Sequence, residues 1–87
     1  MKFKELHFDR TLRFSIGIEE ESNSYYFSIP VSNSFVDYEE YYKITKSSFD
    51  LFIKNNLEAN KFAEECRQRI HDSLLFFAPG SDRGQAS

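Results

Sequence analysis

Two histidines and one cysteine are the side chains best suited to acid, base or nucleophilic chemistry in this chain. Histidine in general titrates near neutral pH, and two histidines, here His7 and His71, suffice for some ribonuclease chemistry. Cys66 and His71 lie five residues apart on one predicted helix, so they face different directions and could not share a metal ion. Because the spacing does not support the mutual geometry of an active site, we predict no catalytic residues and no enzymatic activity.

Metal-binding patterns are equally sparse. A structural zinc site needs four ligands, and Cys66 instead shares an apolar stripe with Phe62 and Ile70, which is typical of a cysteine in the core. The acidic residues lack the loop with a glycine pivot that calcium sites use. We therefore predict no metal and no cofactor.

The acidic residues are concentrated in one part of the chain. The formal net charge is −3, and the segment from Glu19 to Tyr42 contains six acids but no lysine or arginine. Nucleic-acid binding depends on clustered lysine and arginine, so this segment argues against a nucleic-acid partner and favours a basic protein. The alternative is a solvated charged face without a function.

Two tyrosines beside these acids favour a protein-binding surface. Tyr26 and Tyr41 fall on the polar faces of their predicted strands, and tyrosine is enriched among the residues that dominate protein interfaces. Alternatively, the two rings form a cross-strand pair that stabilises the sheet by about 0.2 to 1 kcal/mol. The predicted partner-binding residues are Glu19, Glu20, Tyr26, Asp37, Glu39 and Tyr41.

Three segments alternate between apolar and polar residues, as half-buried strands do. They are residues 11–19, 25–32 and 35–44, and the first two are joined by a polar turn. Pro30 has no N–H to donate, so its strand is predicted to be an edge there or to carry a bulge. Glu40 falls on the otherwise apolar face of the third strand. The side chains predicted to face outward include Arg13, Ser15, Gly17, Glu19, Tyr26, Asp37, Glu39 and Tyr41.

Two helices are predicted after the strands. Thr45 can cap a helix that begins near Lys46. Asparagines at positions 55 and 56 separate it from a longer helix that begins at residue 57 or 58 and ends at about Phe76.

The order of these elements predicts an α+β fold. We expect a three- or four-stranded antiparallel meander with two C-terminal helices packed on one face and the other face exposed. Residues 2–8 alternate poorly and are either a further strand or irregular. Residues 1–79 are predicted to form a single domain, and residues 80–87 a flexible C-terminal tail.

The composition favours a cytoplasmic location. Cys66 is the only cysteine, so the chain has no internal disulfide of the kind that staples small secreted domains. The charged first ten residues lack the apolar core of a signal peptide. No segment approaches the roughly 20 apolar residues of a membrane span, so no membrane association is expected.

Several strings, among them SIGIEEES, YYFSIPVSN, VDYEEYYKI, FAEECRQRIHD and PGSDRG, resemble a group of small uncharacterised bacterial proteins. The resemblance covers most of the chain and implies no known activity or site residues. In size and acidity the chain is also similar to immunity proteins, which neutralise polymorphic or contact-dependent toxins.

The leading hypothesis is therefore a protein-binding inhibitor. Its acidic, tyrosine-bearing sheet face would cover a basic surface of a cognate toxin such as a nuclease, because complementary charge speeds association. The alternative is a structural or assembly protein whose exposed sheet pairs with a second copy to form a homodimer.

Overall fold

The structure of the protein, a computed structural model, describes residues 1–86. It contains a four-stranded antiparallel meander in which each strand pairs with the next in sequence. The strands are Phe3–Asp9 (β1), Phe14–Glu19 (β2), Ser24–Ser32 (β3) and Asp37–Ile44 (β4). The later elements are helices Lys46–Lys54 (α1) and Asn56–Arg67 (α2), a 3₁₀ turn at Asp72–Leu74 and a short strand, Gln85–Ala86 (β5). The predicted α+β fold is confirmed, and residues 2–8, which the sequence left open, supply an edge strand.

The helices cover one face of the sheet, called here the helix face. Its buried side chains are Phe14, Ile16, Phe27, Ile29, Val31, Tyr42, Ile44, Phe49, Phe52, Ala59, Ala63 and Cys66. The predicted cap is confirmed, because the Thr45 hydroxyl accepts a hydrogen bond from the Ser48 N–H. Asn55 Oδ1 likewise accepts from the first N–H groups of α2, so the two caps fix where both helices meet the sheet.

The opposite face of the sheet, called here the outer face, is curved and partly covered. Phe3 in β1 stacks on Tyr41 in β4 with ring centroids 3.7 Å apart. In a flat sheet these strands would lie about 14 Å apart, because neighbouring strands are spaced at about 4.8 Å. The pairing of β1 with β2 shifts register between Glu5 and His7, and such a bulge increases local bending. The outer face is therefore concave.

This curvature overturns the prediction that the outer face is exposed. Ser15, Gly17, Glu19 and Tyr26 are all buried. A side chain at Gly17 would overlap the carbonyl oxygen of Lys4 and would approach Tyr26 Cε2 to 2.8 Å. Gly17 is thus required where the main chain of β1 crosses close to the outer face.

Pro30 lies in a central strand, but at a position where one side of that strand is locally unpaired among the described residues, which agrees with the predicted edge. Its ring nitrogen points toward the side of β3 occupied at one end by β2 and at the other by β5. Ser28 is the last residue of β3 to pair with β2, and Val31 is the first to pair with β5. Pro30 occupies the gap between these neighbours, so no ladder hydrogen bond is lost there.

The second helix is shorter than predicted. α2 ends at Arg67, and Arg69 adopts a left-handed conformation with φ 64°. Ile70, which the apolar spacing placed in the core, is 59% exposed. The chain leaves the helix here because residues 75 and 76 add to the free side of β4, where the Phe76 N–H donates to the Tyr41 C=O.

The C-terminal segment, residues 75–86, also differs from the predicted flexible tail. It runs from β4 to the far side of β3, where Val31 pairs with Ala86. On the way, Arg83 donates hydrogen bonds to Glu40 and Asp72, which gives Glu40 a counter-ion on the helix face. Residues 80–86 are therefore attached to the fold, and Ser87, the last residue of the predicted tail, lies outside the described residues.

Candidate partner-binding site

The register of the sheet separates the acidic segment into two clusters. Glu19 pairs with Ser24 at one end of β3, whereas Asp37 pairs with Ser32 at the other end. Eight residues of strand span about 26 Å. The acidic residues therefore do not form one continuous patch, and the six predicted partner-binding residues are not all brought together.

Glu19 is removed from the predicted set because it is buried within the β2–β3 turn. Its carboxylate accepts hydrogen bonds from the Ser22 hydroxyl at 2.6 Å and from the N–H groups of Lys2, Glu21 and Ser22. The Ser22 hydroxyl and these N–H groups, opposed by burial, lower the pKa of Glu19 from 4.5 to about 2. Glu19 organises the turn, and Glu20 beside it is exposed but distant from the other predicted residues.

Tyr26 is also unavailable to a partner, since its ring is only 2% exposed. It meets Tyr41 edge-on at 5.3 Å and Phe3 edge-on at 5.2 Å, so the cross-strand pairing considered from the sequence is present. Burial, together with the nearby Tyr41 and the carboxylates Glu5 and Glu39, raises the pKa of Tyr26 to about 12. Its hydroxyl is therefore protonated at neutral pH.

Asp37, Glu39 and Tyr41 remain together on the outer face of β4. The Ser28 hydroxyl donates to Glu39 Oε1 at 3.1 Å. Burial raises the pKa of Glu39, the Ser28 hydrogen bond opposes the shift, and the charge of Glu5 adds to it. Among the described residues, no cationic side chain forms an ion pair with Glu39.

A groove of about 330 Å³ borders these side chains, between β4 and residues 77–83. Its walls include Val36, Tyr38, Glu39, Tyr41, Phe77 and Asp82. The lining also contains one ion pair, Glu40 with Arg83, and that arginine is shared with Asp72. Because the charge of Arg83 is already matched, the groove presents net negative charge from Glu39 and Asp82 beside apolar and aromatic surface.

Glu39 also borders a second depression of about 460 Å³ on the outer face. This depression is lined by Phe8 and Pro30, and by two arginines of the β1–β2 turn, Arg10 and Arg13. The negative surface is thus confined to the β4 side of Glu39.

Several residues of this region were not identified from the sequence. Phe3 and Glu5 come from β1, whose bulge disrupts the alternation that would have placed them on the outer face. Phe77 and Asp82 belong to a segment assigned to a helix end and a tail. No sequence pattern connected Phe77 or Asp82 with β4, which lies more than 30 residues earlier in the chain.

The histidines and the cysteine occupy separate surroundings. His7 packs near Phe14, whereas His71 lies 2.8 Å from Glu65 and stacks on Phe62. Cys66 is 1% exposed, as predicted for a core residue, and burial raises the pKa of its thiol. Within residues 1–86, no three histidine, cysteine or carboxylate side chains are grouped to hold a metal ion.

Comparisons with known proteins indicate no function for the chain. No protein-family model matches the chain, and neither curated proteins nor solved structures include a significant match. Among the described residues, no helix has the length and apolar character needed to cross a membrane.

Proposed function

We propose that the protein is a non-enzymatic inhibitor that binds a basic protein partner, in the manner of an immunity protein that occludes a toxin such as a nuclease. The observation that carries this proposal is the half-buried carboxylate of Glu39 beside an aromatic groove, which accepts a hydrogen bond from Ser28 but forms no ion pair among the described residues. Burial disfavours a carboxylate that lacks an opposite charge. A lysine or arginine of a partner would remove this cost on binding.

The composition of the surrounding surface supports the same proposal. Phe35, Val36 and Phe77 are 84%, 55% and 55% exposed, and two of them line the groove. Large apolar side chains rimmed by acids are typical of a protein-binding surface. Complementary charge would raise the association rate, and burial of the aromatic rings would slow dissociation.

The proposal is tested by capturing the tagged chain from its native cells at low and high salt. We expect a basic protein in near-equal amount, whose toxic activity the purified chain suppresses. Asp37→Lys and Glu39→Lys should release this partner, whereas Glu58→Lys on the exposed start of α2 should retain it. Glu20→Lys reports separately whether the partner reaches the distant acidic cluster. Retention of the partner by both β4 variants would exclude this site, and recovery of the chain without a partner would count against an inhibitor.

The alternative function, a homodimer formed through the sheet, is favoured by one observation. Among the described residues, the first half of β4 is an uncovered edge beside the exposed Phe35 and Val36. This arrangement predicts a mass that rises with concentration in sedimentation experiments, and substitution of Phe35 by Ser should restore a monomer.

A further inference from the structure

The main chain of β4 has a free edge at Glu39. The Tyr41 C=O faces away from β3, because it accepts a hydrogen bond from Phe76. Main-chain groups alternate in direction along a strand, so the N–H and C=O of Glu39 and of Asp37 face the same open side.

The C-terminal segment leaves this edge uncovered. Its antiparallel pairing with β4 is centred on Tyr42 and Leu75, after which residues 77–83 diverge and form the far wall of the groove. Among the described residues, none pairs with the main chain of Asp37–Glu40 on this side. The opposite edge of the sheet, β1, is interrupted by its bulge, which is a common protection against added strands.

We propose that the free edge of β4 binds an extended, basic segment of the partner as an added antiparallel strand, seated in the groove between β4 and residues 77–83. This inference rests on the proposed function and names its mode of binding. The bound segment would form main-chain hydrogen bonds with Glu39 and Asp37, which is how strand addition gains affinity.

The geometry also specifies which residues the segment must contain. A residue that exchanges both main-chain hydrogen bonds with Glu39 places its side chain on the same face as Glu39. The same holds two residues further along, at Asp37. We therefore expect two basic residues separated by one apolar residue, which faces Tyr38, and a further apolar residue opposite Val36. The position opposite Glu40 need not be charged, because Arg83 already pairs with Glu40.

A second copy of the chain fits this edge less well. Antiparallel pairing of two β4 strands about Glu39 would place the two Glu39 carboxylates directly opposite each other. Like charges in opposite positions destabilise a sheet, and Asp37 and Asp82 of each copy would add to the repulsion. Charge complementarity thus selects a basic occupant.

The test uses the full chain, labelled with ¹⁵N, and the peptide acetyl-Val-Arg-Val-Lys-Val-amide. We expect binding with a dissociation constant of about 1 mM or tighter, and slower hydrogen exchange of the Glu39 amide. The acidic peptide acetyl-Val-Glu-Val-Glu-Val-amide should not bind. Glu39→Gln should weaken binding of the basic peptide by about threefold, in line with one partly exposed ion pair, and Glu58→Gln should leave it unchanged.

Main-chain methylation distinguishes an added strand from simple charge attraction. N-methylation of the Arg and Lys residues should abolish binding, because their N–H groups would face β4. N-methylation of the central valine should be tolerated, since its N–H would point away from β4 and form no hydrogen bond with it. Equal binding of the two methylated peptides, or no binding of the unmodified peptide, would overturn the inference.

The possible failures can be told apart. If the peptide does not bind but Glu39→Lys still releases the native partner, the strand-addition mode is wrong and the inhibitor function stands. If the peptide binds and protects the Glu39 amide but both β4 reversals retain the native partner, the proposed function fails and the edge site stands. If hydrogen exchange of the Glu39 amide slows as the protein concentration rises, without any peptide, the occupant of the edge is a second copy of the chain and not a basic segment of a partner.

Discussion

Replacement of Arg83 by methionine should destabilise the protein strongly. The guanidinium is 10% exposed and forms two bidentate pairs, with Glu40 through Nε and Nη2 at 2.7 and 3.0 Å and with Asp72 through Nη1 and Nη2 at 2.7 and 2.9 Å. Glu40 is itself 9% exposed. Without Arg83, the only donor left to this buried carboxylate among the described residues is the Tyr42 hydroxyl at 3.0 Å.

The expected loss follows from this geometry. Removal of one partner from a buried ion pair costs about 3 to 5 kcal/mol, because the remaining charge is neither paired nor hydrated. Asp72 adds little to the cost, since its side chain is 37% exposed and water can replace the arginine. For a domain of this size, the lower value corresponds to a fall in melting temperature of about 12 to 24 °C.

Urea unfolding and thermal melts of four proteins would measure the effect. They are the wild type, Arg83→Met, Glu40→Gln and the double variant. Arg83→Met leaves the buried carboxylate of Glu40 without a counter-ion, and Glu40→Gln removes that charge. The double variant should therefore be more stable than Arg83→Met alone, with a coupling energy between the two substitutions above about 1 kcal/mol. The control Lys46→Met breaks an exposed helix pair with Asp50 and should cost less than about 0.5 kcal/mol.

Two results would refute the reasoning about Arg83. The first is a loss below about 1 kcal/mol in Arg83→Met, which would mean that water reaches Glu40 and that the C-terminal segment is weakly attached. The second is additive behaviour of the two substitutions, which would mean that they do not share one interaction.

Three further predictions concern the outer face. Gly17→Ala should cost more than about 2 kcal/mol in urea unfolding, since the added methyl group overlaps a main-chain carbonyl; a change within 0.5 kcal/mol would disprove the close approach. Glu19 has a lowered pKa, so its contribution to stability is present above pH 4.5 and is lost as the pH falls toward about 2; Glu19→Gln should flatten the stability profile over this range, and an unchanged profile would contradict the turn geometry. Glu39 has a raised pKa, so its ionisation opposes folding above its ordinary pKa; Glu39→Gln should leave stability at pH 7 equal or higher while it weakens partner binding, and a clear loss of stability would show a structural role.

Periodicity was sufficient to predict much of the fold and failed where tertiary pairing decided the outcome. Strict alternation in β2, β3 and β4 predicted three strands in order, and Thr45 marked the start of α1. The spacing of Ile70 and Leu74 continued the helical stripe, yet α2 ends at Arg67. Leu75 and Phe76 instead pair with β4, and no local pattern reveals this pairing.

The candidate site was only partly predictable for a related reason. Alternation assigns Tyr26 and Tyr41 to the outer face correctly, but it cannot show whether that face is covered. Phe3 covers Tyr26 because the sheet curves, and the bulge responsible lies in the strand with the weakest pattern. Glu40 was noted on an otherwise apolar face, and no local pattern showed that Arg83 would pair with it from 43 residues away.

The acidic side chains of the sheet differ in whether other residues of the fold supply them with hydrogen-bond donors or a counter-ion. Glu19 is satisfied by its own turn and Glu40 by Arg83, so neither carboxylate needs an interaction from outside the chain. Glu39 has one hydroxyl donor and a neighbouring negative charge, and its raised pKa means that its ionised form opposes folding. A group that opposes folding and sits in a groove at an open strand edge is typical of a binding site, where a ligand supplies the missing interaction. Under the proposed function, the partner's cation is therefore expected at Glu39 and not at Glu19.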